Sequence, residues 1–507
     1  MKNFKLTLLS SAIYVALLSV PNVQAANHAE LTKTEALERR IRDLESRLEK
    51  LDAATTLKQP VANTVQAAPE IKKLSNDVHL LQRKLEVQEE VVDANAKKAP
   101  ILEAGEGGFK ISSADKKHQV RIRGAVQADN RTYSEDSSGL TDSFDLKQAR
   151  VWLEGYVFKD IAFKIMPDFA ASGNILPDAY LDYAYHPAAS LLVGKFKPAL
   201  SLERLQGDSD GTFLERAFPT YLASNRDVGV QLHGAFDLTG HTAEKVVGPI
   251  DTKNQLTYQF GVFNGAGDDG SANNNAKDTD DNKEFVGRVF AHPFQHTGYS
   301  WLEGFGLGVA GSYAKPTSAN QPLKQLQTPI GRNPYLDYTK TLTAGSIVFA
   351  NGESTRVYPQ AYWYSGPFGA MAEYVVSTQH LSNNVKTIKQ TNTAWQVLGS
   401  YVVTGEDNSF GGIKPITPFS PLDGKWGALQ LAARYSQLDV DNDTFEFIDS
   451  NKSANQARAW TVGANWYLNN NALIRADYEQ VSFDGGAAKG GSRPTEQVFA
   501  TRFQLSF

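Results

Sequence analysis

The stretch 120–131 alternates with a period of two. Val120, Ile122, Gly124, Val126 and Ala128 fall on one face; Arg121, Arg123, Ala125, Gln127, Asp129 and Arg131 fall on the other. Successive side chains of a strand point to opposite sides, so one side suits hydrocarbon and the other carries guanidinium groups that must stay wet. This fits a β-barrel wall around a water-filled lumen; the competing reading is an edge strand of a soluble sheet. The alternation recurs to the last residue, where Phe499, Thr501, Phe503, Leu505 and Phe507 oppose Arg502, Gln504 and Ser506. The pattern predicts an all-β, antiparallel transmembrane barrel of sixteen strands near 118–131, 144–157, 161–169, 177–185, 190–197, 226–235, 255–264, 284–291, 304–314, 354–364, 369–378, 394–403, 427–437, 459–468, 473–483 and 497–507. An even count puts both ends of the barrel wall on one side of the membrane, and ~25 residues per strand and connection suits a large barrel.

Ahead of the barrel the period changes. Lys2 and Lys5 precede an apolar run, Leu6 to Val20, and Val23-Gln24-Ala25 offers compact residues for cleavage, so 1–25 is expected to be a secretory signal peptide. From 26 to 99 the pattern is helical. Leu37, Ile41, Leu44, Leu48 and Leu51 form a heptad seam, and Ile71, Leu74, Val78, Leu81 and Leu85 a second one. Two tandem segments, 28–52 and 70–92, are expected in a periplasmic coiled coil, with Pro60 and Pro69 breaking the helix between them. Arg40, Ile41, Leu44, Glu45, Leu48 and Leu51 carry a pattern similar to that of parallel trimeric coiled coils. One amphipathic helix lying on its own barrel is the alternative. Gly105, Gly107 and Gly108 mark a hinge over 100–117, and the barrel takes 118–507.

Composition adds limits. After the N-terminus no run of the 507 residues is long and apolar enough for a membrane helix, as alternation within a barrel wall requires. A net charge of −5 means that any anion preference must come from where basic residues point. The absence of cysteine excludes disulfides, thiolate nucleophiles and Cys-ligated metal. The nine histidines are dispersed outside any catalytic motif, so no enzyme is expected; His292 and His296 are four apart, but Pro293 argues against a helical metal pair. No phosphate-loop motif is present, and no cofactor, metal or nucleic acid is expected. The Asp- and Asn-rich loop 265–283 reads as hydrated, with calcium as the alternative.

Facing and order nominate a path. The inward basic residues are expected to be Arg121, Arg123, Arg131, Lys147, Arg150, Lys164, Lys195, Lys197 and Arg226, with Arg288, Arg356, Arg434, Arg475 and Arg502 as a second tier. Placing both Lys147 and Arg150 inward needs a bulge near Gln148. The third outer loop, 198–225, carries Glu203, Arg204, Asp208, Asp210, Glu215 and Arg216 and is expected to fold inward as a constriction. A solvated surface loop is the alternative. Lys414 is expected at the inner mouth. Two connections on the inner side, 236–254 and 404–426, are longer than the pattern wants, and 315–353 reads as one long outer loop.

Short segments distributed over the barrel carry a family resemblance: Gly194-Lys-Phe-Lys-Pro198, Leu202-Glu-Arg-Leu205, Glu215-Arg-Ala217, Asn225-Arg-Asp-Val-Gly229, Phe290-Ala-His-Pro-Phe294, Pro359-Gln-Ala-Tyr362, Gly366-Pro-Phe-Gly369, Thr404-Gly-Glu-Asp407, the run 427–435 and Asn465-Trp-Tyr-Leu-Asn469. In this order they resemble the phosphate-selective porin O and P family. The resemblance implies a sixteen-stranded homotrimeric outer-membrane porin in which arginines and lysines favour small anions, phosphate or polyphosphate among them. The expected partners are then further copies of the chain, outer-membrane lipid and lipopolysaccharide, and the permeant anions. The segment 145–150 has fewer arginines than the family often places there, and Asp129, Glu154, Asp168, Asp178, Asp182, Asp477 and Glu479 share the presumed lumen face. A porin of weak selectivity whose coiled coil tethers the membrane to peptidoglycan is the alternative function.

Overall fold

The computed structural model describes residues 33–50, 53, 64–134, 139–171, 175–249, 253–265, 280–317, 323, 325–343 and 346–507. The expected signal peptide, Leu51 and most of the acidic loop 265–283 lie outside them. The chain divides into two units, one ending near Ile101 and one holding the rest apart from 113–115.

In the first unit, residues 33–50 form α1 and Thr64–Ala96 form α2. Pro69 falls inside α2 rather than ahead of it, and Pro60, the other expected helix breaker, lies outside the described residues. Five residues from the start of α2, the proline costs one bond of the ladder and crowds the carbonyl one turn back, a strain confined to the first turns of a 33-residue helix. The two segments do not stand in tandem: Gln82 donates to Glu45 at 3.3 Å, and Ile41 and Val78 are both buried. The seam of α1 is thus met within the chain by α2.

The second unit opens with a hairpin, β1 (Ile101–Gly105) and β2 (Gly108–Ser112), where a hinge was expected. Glu106-Gly107 makes the turn, and Gly108, at a φ of 90°, enters β2 in a conformation other residues avoid. β2 pairs with the first barrel strand from Phe109 opposite Ile122 to Ser112 opposite Gln119.

Sixteen strands then close on themselves, each antiparallel to its neighbours. They are β3 (Gln119–Tyr133), β4 (Ser143–Val157), β5 (Ile161–Met166), β6 (Asp178–His186), β7 (Ala189–Phe196), β8 (Asp227–Phe236), β9 (Leu256–Phe263), β10 (Glu284–Ala291) and β11 (Phe305–Ala314). After the small hairpin β12 (Leu326–Gln327) and β13 (Pro334–Leu336) come β14 (Phe349–Ser365), β15 (Phe368–Ser382), β16 (Thr387–Val402), β17 (Ala428–Asp439), β18 (Ala454–Tyr467), β19 (Ala472–Gly485) and β20 (Glu496–Ser506). β20 pairs with β3 to complete the ring, Val498 opposite Tyr133 and Ser506 opposite Ala125. The strands β15 and β16 run on to residues 382 and 387, so the sixth outer loop is a tight turn.

The wall inverts the burial of a soluble protein. Val126, Leu146, Leu153, Ile165, Leu181, Leu191, Val230, Leu232, Phe260, Val309, Val397, Leu431, Val462 and Phe503 are exposed outward, while Gln127, Asp129, Arg131, Arg150, Arg434, Arg475 and Arg502 are buried inward. Aromatic residues collect near the strand ends: Trp363 Nε1 donates to the Trp301 carbonyl at 2.6 Å and Trp466 Nε1 to the Trp426 carbonyl at 2.7 Å. An apolar band flanked by amphipathic rings is what a bilayer demands of a barrel.

The lumen is not wholly polar. Phe218 and Leu222 of the third outer loop, with Tyr335 and Leu336 of the β12–β13 hairpin, pack against Phe196, Phe263, Tyr358 and Phe483 of the inner wall. Two outer loops therefore enter the barrel and bring an apolar core with them.

Candidate functional site

The third outer loop crosses the lumen because backbone and side chains pin it along its length. Ser201 caps the short helix α3 (Leu202–Leu205) by accepting from the Arg204 N–H at 3.2 Å. The Leu202 N–H donates to Glu373 of β15 at 2.7 Å and the Leu214 N–H to Asp477 of β19 at 2.6 Å. From the wall, Asn465, Arg475 and Arg502 donate to the carbonyls of Thr212, Phe213 and Leu214 at 2.8, 3.0 and 2.8 Å. An unpaired backbone group in a wall-to-wall loop would be costly, and the lumen's polar side chains remove that cost.

Two loop carboxylates each gather four cations. Asp208 accepts from Arg150 and Arg216 and lies 3.6 Å from Lys197 and 3.7 Å from Arg226. Glu215 lies 2.7 Å from Lys147, 3.0 Å from Arg131, 2.5 Å from Arg332 and 3.7 Å from Arg502. Burial alone would raise both carboxyl groups; Lys197, Arg150, Arg216 and Arg226 hold Asp208 well below the usual range, as Lys147, Arg332, Arg502 and Arg131 do for Glu215.

The Asp208 cluster sits where two chambers meet, and the Glu215 cluster borders the smaller of them. The larger, about 510 Å³, is lined by Arg123, Arg150, Lys164, Lys197, Arg226 and Lys414 with Glu106, Asp178, Asp208 and Asp210. Asn469, Asn470 and Phe507 place it at the end of the barrel where the last strand stops. The smaller, about 130 Å³, is lined by Lys147, Arg150, Arg204, Arg216, Arg226, Arg332 and Arg502 with Glu203, Asp208 and Glu215. Arg150, Asp208 and Arg226 border both. Seven cations against three carboxylates give the narrow side a positive lining despite the chain's net negative charge.

The bulge required near Gln148 is present. Gln127 faces Gln148 and Ala128 faces Leu146, which leaves Lys147 as the extra residue. Lys147 and Arg150 both turn inward for that reason. Lys164 faces inward 3.5 Å from Asp178, and Arg123 lies 3.3 Å from Glu154 over the Trp152 ring. Arg131 is a strut that donates to the Ile330 carbonyl at 2.9 Å.

Three expected path residues line neither chamber: Arg131, Arg121 and Lys195. Arg121 donates to the Gly107 carbonyl at 2.7 Å, tied to the β1–β2 turn, and lines neither chamber. Lys195 shares the outward parity of Leu191 and Val193; the strand ends at Phe196, so Lys197 turns inward on a different backbone course. Its ammonium donates to the carbonyls of Arg204 and Gln206 at 2.7 and 3.1 Å.

All six expected loop residues lie within the barrel. Glu203 accepts from Gln396 at 2.9 Å and Arg434 at 3.1 Å. Arg204 donates to the Thr220 carbonyl, Arg216 to the carbonyls of Glu203 and Gln206 at 2.9 Å each, and Asp210 borders the larger chamber. Of the second-tier residues Arg502 lines the smaller chamber, and the others are wall struts: Arg288 bonds Gln360 at 3.0 Å, Arg356 bonds Glu284 at 2.7 Å, Arg434 bonds Glu203 at 3.1 Å and Arg475 bonds Asn465 at 2.5 Å.

The acids of the lumen face are consumed as supports. Asp129 holds Arg502 at 2.6 Å, Asp168 holds Arg150 at 2.8 Å, Asp178 holds Arg226 at 2.5 Å, and Asp182 takes His233 at 3.0 Å. Glu479 accepts from the Ile330 N–H at 2.8 Å. Of the seven anticipated acids only Asp178 borders a chamber. Arg332 was missed: it lies at the tip between β12 and β13, inside a stretch without periodicity. The turn-forming Gly331-Arg332-Asn333-Pro334 is its only signal, with Arg332 at a φ of 53°.

The family model of phosphate-selective porin O and P matches residues 120–507. Porin O of Pseudomonas aeruginosa is 23% identical over 436 residues, which cover 81% of this chain and 93% of that protein. Among solved structures, the outer membrane channel DcaP of Acinetobacter baumannii has a TM-score of 0.45 at 12% identity over 79% of this chain and 100% of that one. An anion-selective porin from Comamonas acidovorans has a TM-score of 0.42 at 11% identity over 76% and 99%. With the match running from the first barrel strand to the last residue, the chain is an outer-membrane channel rather than an enzyme, and it belongs to the phosphate-selective porin O and P family.

Proposed function

We propose that the barrel conducts small anions by passive diffusion and that phosphate or polyphosphate pauses at the two cation clusters. The observation that carries this reading is the meeting of four cations at Asp208 and four at Glu215 where the path narrows. An anion entering a narrow passage loses hydration, and fixed cations must replace it. Two moderate sites in series favour conduction over trapping, because neither has to hold the ion alone. The doubly charged form of phosphate gains more than chloride from each guanidinium pair, since planar donors meet two of its oxygens at once.

Association into a homotrimer belongs to the same reading. Leu80, Val87 and Val91 of α2 remain exposed on a single chain and offer an apolar stripe to further copies. Of the expected trimerisation residues Arg40, Ile41, Leu44, Glu45, Leu48 and Leu51, only Arg40 lines the groove beside that stripe, with Leu37, whereas Ile41 is buried and Glu45 bonds Gln82 within the chain. The test is the reversal potential of purified protein in a planar bilayer under a KCl gradient, with phosphate then titrated in. Anion selectivity with chloride current blocked by phosphate is the expected result. Selectivity without block would restrict the protein to general anions, and a cation preference would overturn the reading.

A further inference from the structure

The two connections that follow β8 and β10 meet at one end of the barrel, at residues that line neither chamber. His241 and His296 stack there with ring centroids 4.3 Å apart and planes 28° apart. Asp237 Oδ2 lies 3.7 Å from His296 Nε2, and Asp237 Oδ1 lies 3.9 Å from His241 Nδ1. One ligand atom from each residue falls within 4.8 Å of the other two, and among the described residues this is the one such group of three.

We propose that Asp237, His241 and His296 form a binding site for a borderline divalent cation of the zinc class, which joins the connections after β8 and β10. The carboxylate is already oriented. Its Oδ1 accepts from the Thr239 N–H at 2.8 Å, the Thr239 hydroxyl at 2.7 Å and the His241 N–H at 3.0 Å, which leaves Oδ2 for a metal. The imidazoles are exposed, with side chains 59% and 40% accessible against 7% for Asp237; His241 Nδ1 now meets the Thr239 hydroxyl at 2.9 Å, so His241 binds an ion through its other nitrogen or by exchanging that bond. Zinc bonds of ~2.0–2.2 Å put tetrahedral ligand atoms roughly 3.3 Å apart, so rotations of about an ångström complete the set. Two nitrogens and one oxygen exclude magnesium and calcium as preferred occupants, since those ions take oxygen cages. Three protein ligands leave a position for water.

His296 sits at a φ of 62°, an uncommon conformation for a residue other than glycine. That conformation turns the ring back from the chain leaving β10 toward Asp237. A bound ion would fix the 236–254 connection, whose Val247 and Pro249 line the larger chamber.

The experiment is zinc titration by calorimetry on full-length, chelator-stripped protein in detergent at pH 7.4, beside His241→Gln and His296→Asn. Asparagine tolerates the positive φ, so that variant keeps the backbone, and unchanged heat-modifiable gel mobility verifies the barrel. One ion per chain, weakened at least about tenfold in each variant and again at pH 5.5, is expected, because metal and protons compete for the imidazoles. Equal binding by wild type and both variants, no binding by any of them, or preference for calcium over zinc would each overturn the site.

Discussion

The Lys147 ammonium lies 2.7 Å from Glu215 Oε1 and joins a wall strand to the loop that crosses the lumen. The contact exists because Lys147 is the unpaired residue of a bulge; in a regular strand it would point to lipid. Arg332 reaches the same carboxylate from the other inward loop. A fixed charge within ~10 Å of an ion path contributes on the order of 1 kcal/mol at an effective dielectric near 20. Lys147→Gln and Arg332→Gln should therefore each lower the chloride-to-potassium permeability ratio at least about threefold. Lys195→Gln, on the outward parity, should leave it unchanged. Reversal potentials of the three variants decide this, and equal ratios in all three would route the ions away from Glu215.

Asp208 acts as a resident anion among four cations. Asp208→Asn should release positive potential into both chambers and raise the anion permeability ratio. It should also weaken the loop, because a buried pair broken from one side costs about 3–5 kcal/mol. A higher ratio together with a lower thermal unfolding midpoint is the expected outcome. A lower anion ratio would show that Asp208 recruits anions rather than competing with them.

The depressed carboxyl groups of Asp208 and Glu215 set a pH window. A carboxylate whose folded-state value lies below its unfolded value stabilises the fold fully above the unfolded value, and that contribution disappears as pH falls through the folded one. The loop should thus stay clamped from neutral pH down to about the ordinary carboxylate value of 4. Unit conductance measured between pH 7 and about 4.5 should be flat in loop-dependent noise, with instability appearing only in stronger acid. Flicker that starts near pH 6 would place the clamp on another group.

Much of the wall was legible because alternation is a strong signal when one face meets lipid. The need for a bulge at 144–157 followed from two cations of opposite parity, Lys147 and Arg150, on one strand. Lys195 misled because parity was carried from Lys195 to Lys197 across the strand's end at Phe196. Arg332 was hidden because a loop that folds inward has no period, and its side-chain direction is set by contacts with Glu215 and Asp129. The connections 236–254 and 404–426 exceed the length of inner turns because they fold back into the barrel, where Val246 and Ile413 are buried and Val247 and Lys414 line the larger chamber. His241 and His296 are far apart in sequence, so only pairing of β9 with β8 and β10 brings them together.

Arg434 separates holding the loop from lining the path. Its guanidinium donates to Glu203 Oε1 at 3.1 Å and to the Glu215 carbonyl at 3.0 Å, and it lies 4.5 Å from the centroid of the Phe213 ring. It borders neither chamber, whereas its partner Glu203 borders the smaller one. Arg434→Met keeps the packing against Phe213 but strands the Glu203 carboxylate, at a cost of about 3–5 kcal/mol. The loop should then detach intermittently, so single-channel traces should gain larger, flickering openings. The anion permeability ratio in the quiet state should hold, because the cations at Asp208 are untouched. A loss of selectivity with steady, unaltered conductance would mean that Arg434 meets the ions itself and that the loop is anchored by its other contacts alone.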